Sequence, residues 1–564
     1  MATWKSYKIA DAVNEIEEDK FVLPVIQRRL VWEEEKMELL FDTLLKGDSF
    51  GGIMVIEEER GDKPLFSYRP FTKDGNNINS RPVDTLPQAQ HFVIDGQQRL
   101  QTFYIGLKGS INGKVLYFDL FSDFNSEFEF KFEMQQAKLP EISKDNQERP
   151  IKEHLWYQVS LLMKRLKDTN DEDQVAEEVI KKANITDSGQ KKHIEKNIKA
   201  FYKNVLTADC LGVSKVSLNK SLDEVANKQR IVELFRRLND GGTKLSPFDL
   251  VASILKGFEW QMEAFLETTL KQYEDIGLSQ DNLIKLLFLL QDNHKKEMAA
   301  IEADDAQFAI KHRERISITL KCLKEFLINS QLLNYYKDGN RSFIPLFFIA
   351  YHLFHKNLSN SDLNNYFINF DTQHNEHAKM EKWMYHSLLN GVFKSKGAGW
   401  IPYKTGIRKL LELMKNYKGK NFPIDEISKV YINHPIKFTE TYTASNLNDL
   451  EHSFIYYLIY NRNQTIRIND IDHIMPKSIL EGLAFDSTKI NSIGNYQLID
   501  VNTNRGAKNA SPLKDWIDNH VTDKNTYQRR HLIPTDETLW HEQRFEQFHA
   551  ERTSLIVAKL LSYF

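Results

Sequence analysis

The sequence predicts a multidomain α+β protein: a mixed α/β domain over residues 1–260, a helical middle over 261–440 and a small domain of short strands and helices over 441–564. Three observations carry that reading. Apolar runs at 53–56 and 91–94 sit among helical-period segments in the first 135 residues, residues 260–440 read as almost wholly helical, and short strands and turns return past residue 465. A length of 564 residues with 41% hydrophobic and 12% aromatic content supports several packed cores.

Each element has its own signal. Met37, Leu39, Leu40, Leu44 and Leu45 give residues 32–46 a helical period. Residues 69–90 are rich in Pro, Asn, Gly, Asp and Ser and read as a loop. The run 91–94 breaks at Asp95-Gly96 into a helix from about 97 to 107, and 115–120 and 128–132 read as strands around a turn. Residues 150–205 are charged and read as helical. In 225–256, Gly241-Gly242 ends one helix, while Ser246 is the N-cap and Pro247 the first residue of the next. The longest apolar run, 343–354, is too short to span a bilayer and reads as a buried helix.

Composition excludes several classes. Two cysteines, Cys210 and Cys322, make neither a zinc cluster nor a disulfide framework, and the amino-terminal residues do not read as a signal peptide, so a cytoplasmic, non-membrane protein is expected. The net charge is −3, which leaves nucleic-acid contact to a local basic surface. One such surface is available between Lys394 and Lys420, where Lys404, Arg408 and Lys409 face the single acid Glu412; a solvated helix face accounts for the same charges equally well.

Three separated segments carry polar groups that a bland fold does not require: Gln27-Arg28 after Pro24, Asp95-Gly96-Gln97-Gln98-Arg99, and Phe235-Arg236-Arg237-Leu238-Asn239. At the second, a strand runs into a sharp turn and a helix begins. Helix N-termini bind anions; Arg99, one turn in, adds a candidate phosphate clamp, and Asp95 a candidate ligand for Mg²⁺ or a positioner of water. Taken alone, a capped strand-to-helix turn explains these letters too.

Order and local sequence together resemble the DGQQR domain of GmrSD-type restriction proteins over roughly residues 15–255. That resemblance implies a ParB/sulfiredoxin-like fold that binds and hydrolyses a nucleoside triphosphate, with Gln27, Arg28, Asp95, Gly96, Gln97, Gln98, Arg99 and Asn239 lining the pocket. Within it we expect Arg28 and Arg99 at phosphates, Asp95 at metal or water, and Asn239 at the base or ribose.

The carboxy-terminal constellation is Asp472-His473-Ile474-Met475-Pro476, then Asn495, then Asn504-Arg505-Gly506-Ala507-Lys508. A β-hairpin followed by a helix is the smallest scaffold that joins 472–473 to 504. The chemistry suits phosphodiester hydrolysis: His473 is a general base for water, Asp472 and Asn504 are hard oxygen ligands for Mg²⁺ or Mn²⁺, Asn495 braces the loop and fixes the His473 tautomer, and Arg505 and Lys508 bind flanking phosphates. Asn502 and Asn509 flank Asn504 as alternative ligands.

This stretch resembles the HNH (ββα-metal) nuclease family, in the form that accompanies DGQQR domains. Asn504 in place of a histidine favours Mg²⁺ or Mn²⁺ over Zn²⁺. Together the two resemblances imply an NTP-regulated DNA endonuclease of antiphage defence, acting on phage and possibly modified DNA, with a homo-oligomer open. The alternatives are a nucleotide-gated DNA-binding regulator that does not cut, and a toxin nuclease acting on RNA or host DNA.

Overall fold

The computed structural model describes residues 3–75, 80–135, 141–144, 150–219, 221–240, 246–293, 301–337, 341–367, 376–392, 401–431, 439–460, 462, 469–508 and 510–564. They form two compact units, Met1–Ala264 with Met298–Gln307, and Phe265–Glu297 with Phe308–Phe564.

The first unit is built on a six-stranded mixed sheet. Its spatial order is Thr3–Tyr7, Leu211–Val216, Ile53–Glu58, Gln90–Asp95, Phe21–Pro24, Tyr68–Arg69. Antiparallel and parallel pairings alternate across it. Ile53, Val55, Ile56, Phe92, Val93 and Ile94 are all buried, which is why these strands read as continuous apolar runs rather than alternating ones. Helices Ile9–Glu17, Glu34–Lys46 and Gln97–Lys108 share its core, with Phe41 edge-on to Phe103 at 5.7 Å. A second sheet pairs Lys114–Asp119 with Phe130–Met134 and Trp156–Gln158.

Two departures from the sequence reading have one cause. Residues 150–205 are not helical throughout, because Pro150–His154 and Trp156–Gln158 are strands. Thr3–Tyr7, Phe21–Pro24 and Leu211–Val216 are further strands of four to six residues that the sequence did not announce. Such segments are too short to establish a period of two, and partners distant in sequence decide their state. Ser246 does cap the helix Pro247–Phe258, accepting from Asp249 N–H at 3.1 Å, with the proline in the first turn. The expected glycine stop at 241–242 lies outside the described residues.

The second unit is mostly helical. The helix Ile344–Phe354 is buried from Pro345 to its end, and no described helix is long and apolar enough to cross a membrane. The helix Ile401–Lys415 carries the basic segment. Arg408 and Lys409 are exposed on it, but Lys415 pairs with Glu412 at 3.4 Å and Lys418 with Asp292 at 2.6 Å. The Lys404 side chain lies outside the described residues.

Near the chain's end, Asp470–His473 pairs antiparallel with Tyr496–Ile499, placing Asp472 opposite Gln497 and His473 opposite Tyr496. The helical turn Val501–Thr503 follows, capped by Asp500 through Thr503 N–H at 2.9 Å, and continues as the π-helical turn Asn504–Lys508. Ile474, Met475, Leu480, Trp540 and Phe548 belong to the core beneath.

Candidate functional site

Strand alternation puts Asp470 and Asp472 on one face of the strand Asp470–His473 and His473 on the other. Asn504 reaches that strand: its Nδ2 donates to Asp470 Oδ2 at 3.2 Å. Asp472 is buried and accepts from Gln497 Nε2 at 2.8 Å, and Tyr527 OH donates to Gln497 Oε1 at 2.8 Å, so a chain of hydrogen bonds orients the carboxylate. Burial pushes the Asp472 carboxyl up despite the nearby Lys508 ammonium, so the ionised form needs positive charge nearby. His473 is less buried. Its Nε2 lies 3.2 Å from Asn491 Oδ1, and Tyr496 packs edge-on against its ring at 4.9 Å.

Two expected roles change. Asn495 does not set the His473 tautomer; Asn491 is the ring's partner. Asn495 is fully buried, accepting from Met475 N–H at 3.0 Å and donating to Met475 O at 3.1 Å and Ile490 O at 3.2 Å. It braces the turn behind His473 rather than the ring. Lys508, expected at a phosphate, is 0% exposed. Its ammonium donates to Ile474 O at 3.0 Å, and to His473 O and Ser511 O at 3.4 Å each, because the turn's carbonyls face inward. The Arg505 side chain and Asn509 lie outside the described residues.

Arg552, on the helix Phe545–Leu561, completes the support. Its buried guanidinium donates to Ile493 O and Tyr496 O at 2.7 Å each and to His531 O at 3.1 Å, and burial pushes it down to about 10.

In the first unit, the strand Gln90–Asp95 ends at Gly96, whose φ is +84°. A Cβ there would stand 2.9 Å from Ile53 Cγ1, so both the backbone and the space demand glycine. The helix Gln97–Lys108 starts at once. This turn opens on a cavity of about 530 Å³ lined by Gln27, Arg28, Asp95, Gly96, Gln97, Gln98 and Arg99, together with Phe235, Arg237 and Leu238. The three separated sequence segments therefore converge. Asn239 follows Leu238 on the helix Glu224–Asp240, and its side chain lies outside the described residues.

Inside the cavity the roles divide. Gln97 Nε2 donates to Arg28 O, while Gln98 donates to Arg29 O at 3.1 Å and accepts from Val31 N–H at 2.9 Å. The paired glutamines thus clamp the chain that presents Arg28. Arg99, expected at a phosphate, donates instead to Gly52 O at 2.6 Å and Phe50 O at 3.3 Å, with Asp95 Oδ2 at 3.4 Å. It ties down the 50–52 loop. Gln27 Nε2 and Gln97 Oε1 are buried with no hydrogen-bond partner among the described residues, and such groups call for a polar occupant.

Residues 9–256 match the family described as GmrSD restriction endonuclease, N-terminal domain, and residues 423–559 match GmrSD restriction endonucleases, C-terminal domain. The chain belongs to the GmrSD restriction endonuclease family. Its two matched domains are those of a restriction-type nuclease. An uncharacterized protein of Methanocaldococcus jannaschii is similar to it, 23% identical over 614 aligned positions that take in 98% of each chain. The GmrSD N-terminal match contains every cavity segment from Gln27 to Leu238, and the GmrSD C-terminal match contains 470–508.

Sequence reasoning missed Asp470, Asn491, Gln497 and Arg552. Asp470 had a signal, since it stands two residues from Asp472 and a strand repeats every two. The other three had none, because their positions depend on a hairpin register and a distant helix.

Proposed function

We propose that this GmrSD-family chain is an NTP-regulated, metal-dependent DNA endonuclease, acting on foreign and in particular modified DNA. The observation that carries the reading is the meeting of Asn504 with the Asp470/Asp472 face of the strand that ends in His473, a ββα arrangement like that of HNH nucleases.

The donor set fits a hard cation. Asp470, Asp472 and Asn504 offer only oxygen to a metal, and Asp472 is a carboxylate whose charge burial opposes. Asp472 and Asn504, with Asp470 beside them, would hold Mg²⁺ or Mn²⁺. Once bound, that ion would supply charge stabilisation to the phosphorane and the leaving oxygen. The remaining work falls to the chain. With Asn491 Oδ1 as its partner, His473 Nε2 carries the proton and Nδ1 accepts one from the attacking water. Asn495 and Lys508 fix the turn that follows His473, so the base meets water in one geometry.

The amino-terminal cavity supports nucleotide binding. Its volume suits a nucleotide, it opens at a helix N-terminus, and the Arg28 guanidinium donates to no acceptor among the described residues while burial disfavours its charge. We assign Arg28 to phosphate and Asp95 to metal or water. Phage DNAs carrying different modifications, incubated with Mg²⁺ or Mn²⁺ and with or without each NTP, test this reading. Cleavage of a subset of DNAs that changes with NTP is expected. Cleavage indifferent to both NTP and modification would reduce the function to an unregulated nuclease.

A further inference from the structure

Trp4 stands 69% exposed at the rim of the amino-terminal cavity, an unusual position for an indole. It precedes the residues matched by the family's N-terminal domain, which begin at 9. Its strand, Thr3–Tyr7, pairs with Leu211–Val216 at the edge of the sheet, with Trp4 opposite Ser214, and Ser214 also lines the cavity. The six-membered ring lies against two glycines. A Cβ on Gly52 would fall 3.2 Å from Trp4 Cζ3 and 2.9 Å from Gly212 O, and one on Gly212 would fall 3.4 Å from Trp4 Cζ3. A side chain at Gly52 would crowd both the indole and the Gly212 carbonyl, whereas the Gly212 position meets the ring at ordinary contact distance. The glycines thus support one side of a flat aromatic surface whose remainder faces solvent.

The phosphate-attracting groups lie elsewhere in the same cavity: the N-terminus of the helix Gln97–Lys108, and Arg28 held by the glutamine clamp. A ligand with an anionic end and a flat apolar end fits this division. From the geometry we infer that Trp4 is the stacking platform for the base of a nucleoside triphosphate bound in this cavity. The inference rests on the nucleotide reading above and adds the residue that grips the base. Stacking is sequence-tolerant because every base has a π-face, so Trp4 contributes affinity for a nucleoside over bare polyphosphate without choosing among bases.

Isothermal titration of the full chain with ATP, GTP and inorganic tripolyphosphate tests it. Trp4→Ala is expected to weaken ATP and GTP binding by about tenfold or more while leaving tripolyphosphate unchanged, and Trp4→Phe to recover part of the loss. Equal nucleotide affinity in Trp4→Ala and wild type would overturn the stacking role alone, as would equal losses for nucleotide and tripolyphosphate. Loss of DNA binding with nucleotide affinity intact would also overturn it, by moving the indole to nucleic acid. Wild-type protein that binds tripolyphosphate but no nucleotide more tightly would overturn it as well, whereas failure to bind any of the three would overturn the nucleotide cavity itself.

Discussion

Lys508 holds its ammonium 3.9 Å from Asp472 Oδ2 while donating to Ile474 O at 3.0 Å. One side chain therefore grips the turn after His473 and partners the buried carboxylate of the site. Removing one member of a buried pair leaves an uncompensated charge, at about 3–5 kcal/mol. Lys508→Met is expected to destabilise the carboxy-terminal domain on that scale, and Asp472→Asn in the same chain to restore part of the loss. A double-mutant cycle in chemical denaturation should give a coupling of about 1–3 kcal/mol. Additive effects would show that the two residues do not interact.

Arg28 and Arg99 line the same cavity but are expected to fail differently. Arg99 binds the carbonyls of Phe50 and Gly52, so Arg99→Ala should lower thermal stability as well as NTP turnover. Arg28→Ala should lower turnover with little change in melting temperature. Melting curves beside steady-state NTP hydrolysis separate them. Two variants that lose turnover with identical stability would place both guanidinia at the ligand.

His531 predicts an acid limit. Burial, with Arg530 and Arg552 adding repulsion, pushes its imidazole down to about 3, and Nδ1 pairs with Tyr460 OH at 2.9 Å. Above pH 6.5 neither state holds the proton; below it the unfolded chain takes one up and the folded chain does not. Stability is therefore present above the ordinary value and lost as pH falls toward about 3, at about 1.4 kcal/mol per unit from this group. Urea midpoints between about pH 6 and 4 should fall less steeply in His531→Gln than in wild type. Equal slopes would mean that His531 protonates freely in the fold.

The helix Ile401–Lys415 offers Arg408 and Lys409 to solvent, whereas Lys415 and Lys418 are already paired. Neutralising Arg408 and Lys409 is expected to weaken DNA binding and to make the slope of log affinity against log salt shallower by about 2. Adding Lys404→Ala extends the series by one charge. An unchanged slope would make this a solvated face with no part in DNA contact.

What the sequence made legible was local. The 95–99 turn announces itself because a strand, a left-handed glycine and a helix follow within a few residues, and Asp472-His473 lies at a strand end before a proline. Convergence of 27–28, 95–99 and 235–238 on one cavity was expected from the resemblance and needed the sheet order to be seen. Individual roles were less readable. Lys508 looks like a surface lysine, since that residue type is seldom buried without partners, and its partners are backbone carbonyls that sequence does not display. Asn491 and Arg552 act across 18 and 59 residues, through a loop and a helix with no pattern of their own.

His473, at the end of the strand whose Asp470 is met by Asn504, is the residue on which we expect DNA hydrolysis to depend. Supercoiled plasmid or modified phage DNA incubated with Mg²⁺ or Mn²⁺ and NTP measures it directly. Wild type is expected to nick or linearise the DNA only with the metal, and His473→Ala, still folded by circular dichroism, to leave it supercoiled. Undiminished cutting by His473→Ala would remove His473 from the reaction.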